Sequence, residues 1–294
     1  MTFARPDHSI DLDTLPRIPS WVTAARAETF EDVAFLSGAV LSHLHLVLSR
    51  DDVPQALLRE RLALRAAEAC VAFSGRPERA GELRDAVHLL HPDDLPGPAG
   101  ETYLAWRRAV ERSVSIKALG RALPAFEPGQ IETWLDAGNG APVTRAAMVL
   151  EAVLTDAPRA EVPALVLADA ALAQGLGRDP LVPLLASGLK RHDLRKQGDD
   201  LRLACHRALI SSAVEAVRLA ADLARRAAHL KAVAPKLRAK GAGDAVEMFL
   251  TRDAVAPSAL PLPGRAARRL CDRLVELGAV REMTGRDTFR LYGV

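Results

Sequence analysis

Residues 264–294 read GRAARRLCDRLVELGAVREMTGRDTFRLYGV, and their spacing decides how the chain is built at this end. Ala266, Leu270, Leu274 and Leu277 recur at helical intervals and predict a helix over 265–277 with a narrow buried stripe. Arg265, Arg268, Arg269, Asp272, Arg273 and Glu276 fall on its other faces. Gly278 can take the left-handed conformation that stops a helix. Residues 279–283 then alternate as a strand does, Thr284-Gly285-Arg286 supplies a turn, and a second strand returns over 287–292.

Working outward, the charge is unevenly divided. From Arg225 onward there are 14 basic and 7 acidic residues, leaving 25 basic and 30 acidic before them, so an overall charge of +2 hides a basic end. A basic end suits a polyanionic partner. The bland alternative is codon usage in a GC-rich genome, because lysine occurs at only six positions and arginine supplies the rest. Hydrophobic residues make up 49% of the chain and aromatics only 4%, which favours close-packed helices over sheets.

The preceding sequence is helical almost throughout. Residues 1–20 carry three prolines and many polar groups and are expected to form an irregular arm. Helices are predicted over about 28–48, from Pro54 to Phe73, from Pro77 to just before Pro92, and over 100–114. Residues 115–141 look less regular, with Pro124, Pro128 and Gly138-Asn139-Gly140 as punctuation. Helices resume at 143–155 and 161–176, a shorter one lies near 181–190, and a long one spans about 200–232. Pro235 ends it, and a helix at 241–251 and a proline-rich loop lead into residues 265–294. The expected fold class is therefore mostly α. It has an arm (1–20), an all-α helical body (21–234) and a C-terminal unit (235–294) containing one β-hairpin.

A helix followed by a hairpin is how a winged helix-turn-helix finishes. The string LCDRLVELGAVRE resembles the passage from recognition helix to wing in MarR-like winged helices. That resemblance implies a helix in the major groove, with Arg265, Arg268 and Arg269 facing bases or phosphates, Arg273 one turn further along, and Arg286 reaching backbone from the hairpin tip. The departure lies upstream. Pro261 and Pro263 leave little room for the usual second helix, and a winged helix reduced in this way often serves as a protein-docking module. Several longer stretches resemble a bacterial family of unknown function, domain-of-unknown-function family 1403. They are LRERLALRAAEACVAFSGR, DAVHLLHPDDLPGPAG, VAPKLRAKGAGDAVEMFL, DAVAPSAL and RAARRLCDRLVELGAVREMTGRDTFRLYG. This likeness implies a shared helical fold and no activity.

Other candidate chemistry is sparse. His43 and His45, two apart on a helix, face different sides. His88 and His91 share a face and precede Asp93 and Asp94, but His91 sits where the helix breaks, so no metal is assigned. Gly138-Asn139-Gly140 lacks the flanking histidine and arginine of a Fic-type transferase. Gly175-Leu176-Gly177 follows a helix where a phosphate loop would follow a strand, and Ser211-Ser212 lies mid-helix without a nucleophile elbow. Cys70, Cys205 and Cys271 are too scattered for a disulfide framework or a zinc site. They fit buried free thiols in a reducing compartment, and no signal peptide or membrane span is expected, which places the chain in the cytoplasm. Asp169 lies in a helix apolar on nearly every side and must find a partner. Arg65 is the first choice, with Arg84 or His88 as alternatives.

Two functions follow. One is nucleic-acid binding or regulation, with Arg265, Arg268, Arg269, Arg273 and Arg286 as the contact set and duplex DNA as partner. The other is a scaffold whose C-terminal unit docks on a partner protein or on its own helical body. No cofactor and no reaction are assigned.

Overall fold

The computed structural model describes residues 17–24, 27–75, 77–90, 93–237, 240–286 and 288–294. The chain folds as a stack of helices: α1 (Ser20–Ala24), α2 (Phe30–Leu48), α3 (Gln55–Phe73), α4 (Ala80–His88), α5 (Gly97–Glu111), α6 (Ile116–Ala122), α7 (Pro128–Asp136), α8 (Pro142–Asp156), α9 (Glu161–Gly175), α10 (Leu185–Gly188), α11 (Gly198–Val233), α12 (Ala242–Thr251) and α13 (Gly264–Glu276). Strands β1 (Arg281–Glu282) and β2 (Tyr292–Gly293) pair antiparallel, with Arg281 opposite Gly293 and Glu282 opposite Tyr292. They form the only sheet among the described residues. The mostly α fold class with one C-terminal hairpin is as the apolar spacing indicates. The irregular arm expected over 1–20 lies largely outside the described residues.

Helix starts follow local chemistry. Thr29 opens α2 with a capping box: its hydroxyl accepts from Asp32 N–H at 3.1 Å while the Asp32 carboxylate accepts from Thr29 N–H at 3.0 Å. Residues 115–141, expected to be irregular, hold α6 and α7. Ser115 Oγ accepts from Ala118 N–H at 3.2 Å, and Pro128 takes the first turn of α7. Of the residues that looked like punctuation, Pro128 is a helix start, while Pro124 and Gly138-Asn139-Gly140 lie in the short connections between helices.

One contiguous cluster of buried side chains runs from Val22 on α1 to Val294, so the body and the C-terminal unit share a core. The centre is α9, in which every side chain from Ala164 to Ala173 is buried. Around it α8 packs on α9, α2 packs along α11, and α5 packs on α3. Helix α11, 36 residues in length, runs about 54 Å at 1.5 Å per residue and serves as the spine. Helix α2 is long and apolar enough by length and composition to cross a membrane; its Val33, Val40, Leu44 and Val47 are buried within the fold.

The short α10 lies almost backbone to backbone on α11. A Cβ placed on Gly188 would stand 2.8 Å from the Ala208 Cα, inside any real carbon contact. Gly188→Ala is therefore expected to push the two helices apart and cost about 1–3 kcal/mol. The check is a thermal melt, which should show a lower midpoint with unchanged helicity; an unchanged midpoint would contradict the close approach.

Candidate functional site

The C-terminal unit is assembled from pieces that are short on their own. After α12 the chain passes Asp253 and Val255, makes a 3-10 turn at Pro257–Ala259, enters α13, and returns through β1 and β2. Val255 and Tyr292 exchange both backbone hydrogen bonds, at 2.8 and 2.9 Å, so Val255 lies beside β2 as a one-residue third strand. The buried stripe of α13 is Ala267, Leu270, Cys271 and Leu274. It is rotated slightly from the predicted one, since Ala266 and Leu277 are only half-buried.

What fixes this unit on the body is a carboxylate that the sequence reading passed over. Asp253 is fully buried. Arg84 on α4 donates to it twice, Nε to Oδ2 at 2.6 Å and Nη2 to Oδ1 at 3.1 Å. Arg61 on α3 makes a second ion pair with the same carboxylate. Arg61 Nη2 also donates to the Asp253 carbonyl at 3.2 Å and the Val294 carbonyl at 3.0 Å. Burial pushes the Asp253 pKa up, but the two guanidinium groups outweigh it and hold the carboxyl below its ordinary range. Around this centre lie the Glu60–Arg107 ion pair, Tyr103 and His88. Burial, helped by the Arg107 charge, lowers His88 to about 4, which keeps it neutral at pH 7.

The predicted contact arginines divide into two groups. Arg265, Arg268 and Arg269 are exposed on α13, and among the described residues none has a carboxylate within ion-pairing distance. Arg273 is exposed but donates to Glu276 at 2.9 Å. Arg286, expected to project from the hairpin tip, instead pairs with Asp85 on α4. Beside α13, a cleft of about 770 Å³ is lined by His88, Pro257, Arg268, Asp272, Phe289 and Arg290. Phe289 is 68% exposed and takes a left-handed backbone conformation, φ 55°. For an aromatic residue this costs on the order of 1–2 kcal/mol, and such outliers cluster at functional sites. Sequence reading missed Phe289 because an aromatic in a predicted strand reads as core.

The expected ion pair of Asp169 with Arg65 is not formed. Asp169 is buried, but its two carboxylate oxygens accept the Leu184 and Leu185 amide protons, each at 3.1 Å, at the start of α10. Arg65 lies on the exposed face of α3, while Arg84, one alternative, serves Asp253. Backbone donors at a helix start satisfy the carboxylate without a cation. Of the histidine pairs, His91 lies outside the described residues, and no group of three potential metal ligands occurs among the described ones.

Fold and site together define a mostly helical protein whose small C-terminal α/β unit is pinned to its helical body through a buried carboxylate. The chain belongs to the family described as protein of unknown function DUF1403, whose profile matches residues 6–294. No curated protein matches it.

Proposed function

We propose that residues 235–294 form a winged-helix-like module that binds duplex nucleic acid, with α13 as the groove helix and the hairpin as a reduced wing. The observation that carries this reading is the bare arginine face of α13. Arg265, Arg268 and Arg269 hold three charges in solvent near the positive end of the helix dipole. The order of elements supports it too: α12, the bridged Val255, a 3-10 turn where a second helix would stand, α13, and two strands. Phe289, exposed between Arg286 and Arg290, adds an aromatic surface that can stack on a base or ribose. A reducing, cytoplasmic setting goes with this reading, because Cys70, Cys205 and Cys271 are free and buried, and burial pushes all three thiols up to about 12.

The test is fluorescence anisotropy of the full chain with a random-sequence duplex at several salt concentrations. Affinity should fall steeply with salt. Arg268→Ala and Arg269→Ala should each weaken binding and reduce the slope of log affinity against log salt by about 0.9 per lost phosphate contact. Arg273→Ala should matter less, because Glu276 already partners that arginine. Absence of any salt-sensitive affinity would defeat the proposal.

A second reading, docking on the body, is favoured by the Arg286–Asp85 ion pair, which closes the hairpin onto α4. In that reading the full chain shows no salt-sensitive duplex affinity, and Asp85→Ala loosens the hairpin from the body, seen as faster amide exchange over 281–294. In the first reading Arg286→Ala leaves affinity little changed.

A further inference from the structure

A second cavity, of about 730 Å³, opens in the helical body between α2, the start of α8, the end of α9 and α11. Its volume falls in the range of small-molecule sites. Phe30, Leu41, Val143 and Leu176 give it apolar walls. Its ionisable lining is Arg178, Arg202, His45 and His206, and no carboxylate lines it among the described residues. Arg178 Nη2 and Arg202 Nε are buried without a hydrogen-bond partner. Arg202 also stacks on Phe30, 4.7 Å from the ring centroid, and reaches Asp199 with its outer nitrogen at 3.0 Å. Arg178 is half-buried, has no ion pair among the described residues, and burial lowers its pKa. At the same wall α8 begins without a side-chain cap, and the Val143 and Thr144 amides have no hydrogen-bond partner among the described residues.

Ser37 and His206, 2.6 Å apart between Oγ and Nδ1, invite comparison with a nucleophile and its base. The Ser37 hydroxyl, however, donates its only proton to the Ala34 carbonyl at 2.9 Å. His206 Nδ1–H must therefore be the donor to Ser37, so the ring cannot withdraw the serine proton. The pair is a binding element: His206, 8% exposed, is fixed with its Nε2 left over.

Both arginines are half-buried, and each keeps one buried nitrogen without a partner among the described residues, a donor that an incoming anion would satisfy. We propose that this pocket binds a small organic anion with an apolar body. Its carboxylate is held by Arg178 and Arg202, and its hydrocarbon lies against Phe30, Leu41 and Leu176. This goes beyond the nucleic-acid reading and stands independently of it.

The probe is sodium octanoate, titrated calorimetrically into the full chain, with octanol (same body, no charge) and acetate (same head, no body) as comparisons. Octanoate should bind at least about tenfold more tightly than octanol, as a charge-assisted hydrogen bond is worth that much, and at least about tenfold more tightly than acetate, as burying several methylenes is. The Arg178→Met/Arg202→Met double variant should lose the preference for octanoate over octanol. Arg178→Met alone, which leaves the Arg202–Asp199 ion pair and the stacking on Phe30 in place, should weaken that preference and melt no lower than wild type. Wild-type hydrogen exchange gives a readout independent of any variant: octanoate should protect amides at the start of α8 and near Arg178, and leave α13 unchanged. No octanoate binding, equal binding of octanol, a preference kept by the double variant, or protection confined to other helices would each overturn the proposal.

Discussion

Asp253→Ala is expected to destabilise the protein by about 3–5 kcal/mol, the usual result of removing one partner from a buried ion pair. The carboxylate is fully buried between the Arg61 and Arg84 side chains, themselves 9% and 11% exposed. Alanine would leave two guanidinium groups facing each other in the core. Arg61 is also the donor that ties the Asp253 and Val294 carbonyls to α3, so the C-terminal unit should loosen before the body does. Urea denaturation at pH 7 measures the cost, and hydrogen exchange shows where the loosening occurs. The pH dependence is a second signature. Because the folded carboxyl titrates below its unfolded value, its contribution is present above about pH 4 and is lost as the pH falls below that. Wild type and variant should therefore converge in acid. An unchanged urea midpoint at pH 7 would show that the cluster does not hold the unit in place.

Asp169→Asn should change the pH profile in the opposite sense. Burial raises the Asp169 pKa to about 7, and the opposing Leu185 and Leu184 amide bonds do not cancel that effect. A raised folded pKa means that the stabilisation is complete below about pH 4 and is lost as the pH rises towards 7. The shift from 3.8 to about 7 corresponds to about 4 kcal/mol across that window. Asparagine keeps the shape and does not titrate. The stability of wild type relative to the variant should therefore decline by about that amount between pH 4 and 7 and be flat above. His88, depressed to about 4 by burial, contributes the opposite slope below about pH 6.5. It is present in both proteins and drops out of the difference. Parallel stability curves for the two proteins would sink this assignment.

Arg61 and Arg65 show how far side-chain types can be read. Both lie in one helical stretch, LLRERLALR, four residues apart, and either could have been the buried one. The register of α3 against α12 and β2 decides for Arg61, and nothing local distinguishes them. Asp253 was hidden for a related reason. It sits in a loop rich in alanine and proline, where an aspartate ordinarily caps or turns, and its compensating charges come from 169 and 192 residues away. Phe289 and the Ser37–His206 pair were invisible in the same way, because each gains its meaning from neighbours distant in the chain.

The sequence by itself determined most of the helices and their ends, the glycine stop after α13 and the hairpin that follows; α6 and α7 stand where irregular chain was expected. The elements so determined depend on apolar spacing and capping within a few residues, and that information is written consecutively. It also placed Arg265, Arg268 and Arg269 on the outer faces of α13, because a helix separates its faces by residue count alone. Only the tertiary structure decided which charges are neutralised. Asp169 is satisfied by two backbone amides, Asp253 by two arginines, Arg286 by Asp85, and Arg178 by no protein group among those described. Backbone donors carry no residue-type signal, and a buried charge is compensated by whatever packing brings within about 4 Å, which sequence spacing does not encode.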